Sequence, residues 1–455
     1  MMKAGCIEMT LTDVLQDFAY LSVLLLIGFE MRKRIKILQR YFIPTSLIAG
    51  TLGMFFGPNW LGTVSAVHIP FSGSLSQWAG VLVIFVCATM FLGIELGKVG
   101  RDGMATTLLA GVCHQAQILI GLGVAAVFGL FTNLPYQFGY MGVWGFYAGH
   151  GNATTVGTII QQAGYWDDAV GVGVTFATIG IVAGIVIGMI LINYGARKGF
   201  THVKMSFEMM PEEERTGYIA PGNRPSIGNA VTNASSLDPM AFQLAIVGIV
   251  VVLGVAERAL LIKLSPVMKG FPLVGAVLVS SMIVGYIINK TSLKQRVDRK
   301  LMSRITGTAL EYMITAAIVT TSKQVFTDYA LPLMIISALM VIGNILVCFG
   351  LGKRWLSESW FEVAVGLYGQ CCGVLATGLM LVKVMDPSSE TTASQCISTS
   401  STLGYAWQIP YMIVGSIAIY TAPQLTTIIS AVFFLFCLVG GEVLYGRKKK
   451  VSVKQ

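Results

Sequence analysis

Two stretches of this chain combine the residue types that a binding site inside a membrane needs. Residues 145–157 read Gly-Phe-Tyr-Ala-Gly-His-Gly-Asn-Ala-Thr-Thr-Val-Gly, and residues 366–378 read Gly-Leu-Tyr-Gly-Gln-Cys-Cys-Gly-Val-Leu-Ala-Thr-Gly. The glycines weaken a helix, and the polar side chains cannot be satisfied by hydrocarbon. Interrupted backbone at membrane depth survives only where it is buried in protein or lines a watery cavity. Each stretch therefore predicts a broken helix at a site. At such a break, helix N-termini carry partial positive charge and suit a carboxylate, while freed carbonyls and hydroxyls suit Na⁺. The candidates for substrate or ion binding are Gly149, His150, Gly151, Asn152, Thr154 and Thr155 in the first stretch. In the second they are Gly369, Gln370, Cys371, Cys372, Gly373 and Thr377, joined by Thr178 on the apolar segment after the first. The competing reading is that Gly and Thr merely let helices pack closely, as small residues do in bilayers. His150 is open to titration, to substrate contact or to hydrogen bonding that holds the tip.

The elements that must position these residues are apolar helices. Residues AVILMFWYC make up 55% of the chain and DEKR 12%, against about 25% charged in an ordinary soluble domain. Mean hydropathy is +0.73. A 30 Å hydrocarbon core takes about 20 helical residues, and apolar segments of that order fall near 11–30, 41–57, 78–97, 104–131, 168–194, 241–262, 271–289, 307–325, 331–351, 394–420 and 424–445. The fold class is an all-α polytopic membrane protein of about 11 transmembrane helices. No secretory signal is visible in the polar N-terminus, and the first apolar run, long enough for it, is expected to stay as a span. Eight cysteines without CxxC or Cys/His spacing indicate neither a disulfide framework nor a zinc site.

Charge then sets the topology. With the N-terminus outside, and with the stretches near 138–163 and 361–385 entering and returning on one side, most of the 31 basic residues face the cytoplasm. They lie at 31–40, 98–103, 195–240, 290–306, 352–360 and the basic C-terminal tail. If both stretches crossed, the three loops 195–240, 290–306 and 352–360 would turn outward with their positive charge. The first stretch is thus re-entrant from outside and the second from inside. The halves also echo each other: Ile43-Pro44 opens a Gly-bearing span, as Phe271-Pro272 does, and the third span, with Glu95 near its end, corresponds to the eighth, which ends near Lys323. The expected organisation is a first inverted repeat at 1–194, a cytoplasmic linker at 195–240, a second repeat at 241–421, and an extra span with a basic tail at 422–455. Inverted repeats of this kind mark secondary transporters with a site near mid-membrane. The formal charge of +9 reads as a topology signal and not as nucleic-acid binding.

Further polar residues are weighed on the same terms. Glu257 and Arg258 lie on the sixth span and Glu311 near an end of the eighth. Lys383 and Asp386 stand at the exit of the second stretch, where pairing and gating are both open, and Asp167 and Asp168 stand at the outer mouth. His114, Gln115 and Gln117 read as polar contacts within the bundle. Thr175, and Ser398 to Thr402, are either cation ligands or hydroxyls bonded to their own helix. No acid pair and no nucleophile–base spacing supports an enzyme, catalytic residues are expected to be absent, and a repeated carbonyl filter, the mark of a channel, is missing.

At Tyr41-Phe-Ile-Pro44, Ala148-Gly-His-Gly151 and Phe176-Ala-Thr-Ile-Gly180 the chain resembles the bacterial sodium/glutamate symporters over nearly its whole length. The resemblance implies two inverted five-helix repeats with oppositely facing re-entrant loops and Na⁺ as coupling ion without an organic cofactor. It also implies import of glutamate or a related small carboxylate, a homodimer, and the bacterial inner membrane. H⁺-coupled or exchange transport of another organic anion is the alternative. The second tip, Gly369-Gln-Cys-Cys-Gly373 followed by Ala376-Thr377-Gly378 and Val384-Met-Asp-Pro387, departs from the family's Gly-His-Cys-Gly-like tip and Gly-Ala-Thr-Pro-like run, as does the span at 424–445. The chain is accordingly placed in a divergent subgroup.

Overall fold

The structure is a computed structural model; it describes residues 11–40, 43–93, 100–132, 134–201, 212–264, 273–321, 328–357, 359–386 and 391–446. Tyr41, Glu95, Phe271-Pro272, Lys323, Pro387 and the basic tail from Arg447 lie outside the described residues.

Helices form where the apolar segments predict them, and no strand occurs among the described residues. In order they are α1 (Leu11–Arg34), α2 (Thr45–Phe56), α3 (Leu75–Thr89), α4 (Arg101–Gly129), α5 (Phe138–Phe146), α6 (Gly149–Gln162) and α7 (Ala169–Lys198). The second half continues with α8 (Pro239–Leu264), α9 (Leu273–Lys290), α10 (Arg299–Val319), α11 (Ala330–Ile345), α12 (Trp360–Cys372), α13 (Leu375–Met385), α14 (Ala393–Pro410) and α15 (Pro423–Tyr445). A π-helical turn at Leu346–Leu351 extends α11, and another at Tyr411–Gly415 extends α14. Among the described residues, seven helices are long and apolar enough to cross a bilayer: α1, α4, α7, α8, α9, α11 with its extension to Trp355, and α15. The chain is a multi-pass membrane protein.

The chain forms two compact units of interleaved segments. The first comprises Met1–Glu95, Gly157–Gly171 and Glu212–Thr327. Here α10 packs on α2 and α3, α8 on α9, and α1 on α2. Leu21, Leu75, Ala316 and Val319 form a buried cluster beneath Phe71, Trp78 and Tyr312. Several buried polar groups here are paired, which offsets their desolvation. The Asp17 carboxylate accepts from Ser72 N–H at 2.9 Å and from Ser72 Oγ at 2.6 Å, and Ser280 Oγ donates to Glu257 at 2.8 Å, joining α9 to α8. Asp298 caps α10, accepting from Leu301 N–H at 2.8 Å and from the Asn229 N–H and side-chain amide at 3.0 and 3.1 Å. Desolvation opposes its charged form, yet these hydrogen bonds prevail and hold the carboxyl below its ordinary value.

The second unit comprises Leu96–Val156, Val172–Pro211 and Asp328–Gln455. Its pillar is α4, contacted by α5, α11, α14 and α15 and buried along most of its length, as expected of a helix without a polar face. At nine residues, or roughly 14 Å, α5 is too short to span a membrane. It folds back into α6 instead: Met141 of α5 and Ala153 of α6 both flank Gly173 of α7. The partners of α7 run from Gly145 at Phe176 to Phe146 at Gly180 on α5, and in the reverse sense from His150 at Thr178 to Ala153 at Gly173 on α6. The two are an antiparallel hairpin. Likewise α12 and α13 pair antiparallel, Gly369 with Gly378 and Gly366 with Val382.

Both hairpins lie along α7. The first covers α7 up to Gly180, and the second continues from Cys372 at Gly180 through Gly369 at Gly184 to Phe361 at Gly195. They approach from opposite ends of one helix and meet near its middle. α14 meets the same hairpins in the opposite order, Ile397 touching Gly366 of the second and its π-turn receiving the Tyr140 hydroxyl of the first at Tyr411 O, 2.7 Å.

Candidate functional site

The tips touch. Gly149 opens α6 at φ +71°, a left-handed conformation that only glycine adopts at little cost. A β-carbon there would fall on Val374 Cγ1 and stand 3.3 Å from Gly373 O. Because α13 begins at Leu375, the N-termini of α6 and α13 abut, with unsatisfied N–H groups and partial positive charge at both. Gly180 lies beneath: a β-carbon there would meet Cys372 O and lie 3.3 Å from Phe146 Cα.

His150, Thr178, Gly373 and Thr377 gather at this junction. His150 is 3% exposed, and its Nε2 is 3.0 Å from Thr178 Oγ1. The Thr178 hydroxyl also lies 3.0 Å from Val174 O of its own helix, so one group bridges His150 and the α7 backbone. A β-carbon on Gly373 would stand 2.9 Å from Thr377 Oγ1. Thr155 donates to Gly151 O of its own helix at 2.8 Å, while Gly151 and Asn152 are half-buried. Thr154 Oγ1 and Gln370 Oε1, both buried, find no hydrogen-bond partner among the described residues. Buried polar atoms are costly unless bonded, so these two suit a polar substrate or a cation. Gln370 itself packs against Gly378 within the second hairpin.

The second tip is held from outside the hairpin. Gln117 Nε2 of α4 donates to Cys371 O at 2.8 Å and to Asn344 Oδ1 of α11 at 3.0 Å. Asn344 Nδ2 lies 3.3 Å from both Cys371 O and Cys372 Sγ. Asn344 is missing from the residues singled out by sequence, although an amide inside the apolar segment 331–351 is a signal of the same kind as Gln117. His114 is wholly buried; Trp144, Tyr147 and Tyr411 meet its ring edge-on, with centroids at 5.7, 4.9 and 5.8 Å. Its Nδ1 is 3.1 Å from Gln115 Nε2. A polar contact within the bundle describes it well.

Other candidates lie elsewhere. Ser398, Ser400 and Thr402 return their hydroxyls to carbonyls of their own helix, the second of the two readings open to them. Asp386 accepts from the Thr391 N–H and hydroxyl at 2.8 and 2.6 Å. Within the first unit, Asp167 and Asp168 line a cavity of about 590 Å³ with Thr158, Gln161, Gln162 and Thr320.

The two hairpins thus meet tip to tip among buried polar side chains. The model of the sodium/glutamate symporter family matches residues 10–379. The chain belongs to the sodium/glutamate symporter family. The matched region takes in α1 to α12 and ends within α13, ahead of α14 and α15. No curated protein matches the chain. Sodium/glutamate symporters are transporters, not enzymes, so membership brings a small-molecule substrate, a membrane environment and sodium-coupled transport in general.

Proposed function

We propose that this chain is a Na⁺-coupled symporter that imports glutamate or a related small carboxylate by alternating access. The observation that carries this reading is the contact of Gly149 with Gly373 and Val374, which sets two helix N-termini against each other beside His150 and Thr377. A substrate carboxylate lies against the N–H groups of Gly149 to Asn152 and of the first turn of α13, where two helix dipoles add. Na⁺ is held by carbonyls of the tips, Gly369 to Gly373 among them, and by the hydroxyls of Thr154, Thr155, Thr178 and Thr377. His150 fastens α6 to α7 through Thr178 and so sets the first tip.

The reversed order in which α7 and α14 meet the two hairpins supports two inverted repeats, 1–194 and 241–421, joined by a cytoplasmic linker at 195–240. In this reading the N-terminus is outside, the span and tail at 422–455 end in the cytoplasm, and the protein is a homodimer of a bacterial inner membrane. Alternating access moves the hairpin-bearing unit, so that the paired tips face one side and then the other.

Uptake of labelled glutamate into proteoliposomes tests the proposal. Accumulation is expected with an inward Na⁺ gradient and is expected to collapse when choline replaces Na⁺. Equal accumulation under both conditions overturns Na⁺ coupling, and Na⁺-driven uptake of other small carboxylates in preference to glutamate reassigns the substrate.

A further inference from the structure

Three thiols that no part of the transport cycle uses converge behind the second tip. Cys113 of α4, Cys348 in the π-turn that extends α11, and Cys371 in the last turn of α12 are all wholly buried. Their sulfurs lie within 4.8 Å of one another, and the Cys113 and Cys348 sulfurs are 3.7 Å apart.

Their placement follows from helix geometry. Cys113 precedes Gln117 by four residues on α4, and Cys348 follows Asn344 by four on α11, so each thiol shares a helix face with one of the two amides. The amides hold the carbonyl of Cys371, and the thiols meet its sulfur. Cys348 itself sits in the π-turn that extends α11, a feature that often marks a functional position. The residues come from three separate helices, so no spacing along the chain announces them.

We infer that Cys113, Cys348 and Cys371 form a binding site for a soft divalent cation of the zinc, cadmium and mercury class. Thiolate sulfur selects soft ions. A trigonal site with metal–sulfur bonds of about 2.3 Å needs sulfurs about 4.0 Å apart, close to the 3.7 Å between Cys113 and Cys348 and within reach of the 4.8 Å that bounds the group. Charge decides between ions of different valence: three thiolates leave a net charge of −1 around a divalent ion but −2 around a monovalent one, and buried charge is expensive. On binding, three S–H bonds break and three sulfur–metal bonds form. Three protons leave to solvent and no electron is transferred, so binding strengthens as pH rises.

An ion held here ties α4, α11 and α12 together one residue before the Cys372–Gly373 tip. On the proposed transport reading, it arrests the second hairpin and blocks uptake.

The test uses the purified full-length chain in detergent with a phosphine reductant and Cd(II) as probe. Thiolate-to-cadmium charge-transfer absorption is expected to saturate at one ion per chain. Cys113→Ser, Cys348→Ser and Cys371→Ser are each expected to weaken binding by about a hundredfold or more, while Cys87→Ser and Cys396→Ser bind as the parent does. X-ray absorption at the cadmium edge of the unmodified protein needs no variant and is expected to count three sulfur ligands. Coordination by oxygen and nitrogen alone, or full binding in a monodisperse Cys371→Ser protein, overturns the site. These readouts do not depend on the transport proposal: cadmium binding without inhibition of an active uptake assay would refute only the arrest of the hairpin.

Discussion

Gly149→Ala is the sharpest perturbation of the tip contact, because the structure separates two costs at that position. The first is conformational. At φ +71° an L-residue sits in the left-handed region, at about 1–2 kcal/mol. The second is steric, since the new β-carbon falls on Val374 Cγ1, and overpacking of this kind costs about 1–3 kcal/mol. Together they destabilise the closed tip by about 2–5 kcal/mol. Val374→Ala removes the methyl groups in the way but leaves the backbone cost. The double variant Gly149→Ala/Val374→Ala should therefore regain the steric part only, with a coupling of about 1–3 kcal/mol between the sites. The assay is thermal unfolding of the four proteins in detergent, with and without Na⁺ and glutamate, beside initial rates of uptake. Gly149→Ala should lose most of its transport together with the stabilisation given by ligands, and the double variant should recover part of both. The argument fails if Gly149→Ala alone is as stable and active as the parent. Strict additivity of the two substitutions would also refute it, because the tips would then not touch.

Two further outcomes follow from particular hydrogen bonds. His150→Ala removes the 3.0 Å bond to Thr178 and should cost about 1 kcal/mol; Thr178→Val should cost about as much, and combining them should add little. Full transport by His150→Ala would remove His150 from the mechanism. Asp298 has a depressed folded value, so its contribution is complete above the ordinary carboxylate pKa and is lost as pH falls through the folded value. Asp298→Ala should destabilise the protein by about 1 kcal/mol near neutral pH through loss of the α10 cap. Thermal melts of the two proteins should converge in acid, and a gap that widened as pH fell would refute the assignment.

Much of this molecule is legible without coordinates, for a physical reason: a bilayer allows few ways to satisfy a backbone. The long apolar runs had to be helices, and the polar, glycine-rich interruptions at 145–157 and 366–378 had to be breaks, since hydrocarbon bonds neither amide nor hydroxyl. Family membership was equally readable from Gly149-His150-Gly151 and its neighbours, and the matched region bears it out. Chemistry at a distance was not readable. Whether Ser398, Ser400 and Thr402 face a cation or their own helix depends on rotamers, which composition leaves free, and tertiary packing turned them inward to backbone. That Gln117 and Asn344, 227 residues apart, clasp the same carbonyl depends on how α4 crosses α11. The meeting of the hairpins at Gly180 is of the same kind. Each tip is a local event in sequence, but their contact is set by α7, whose glycines at 173, 180 and 184 let both hairpins come within van der Waals reach of a single helix.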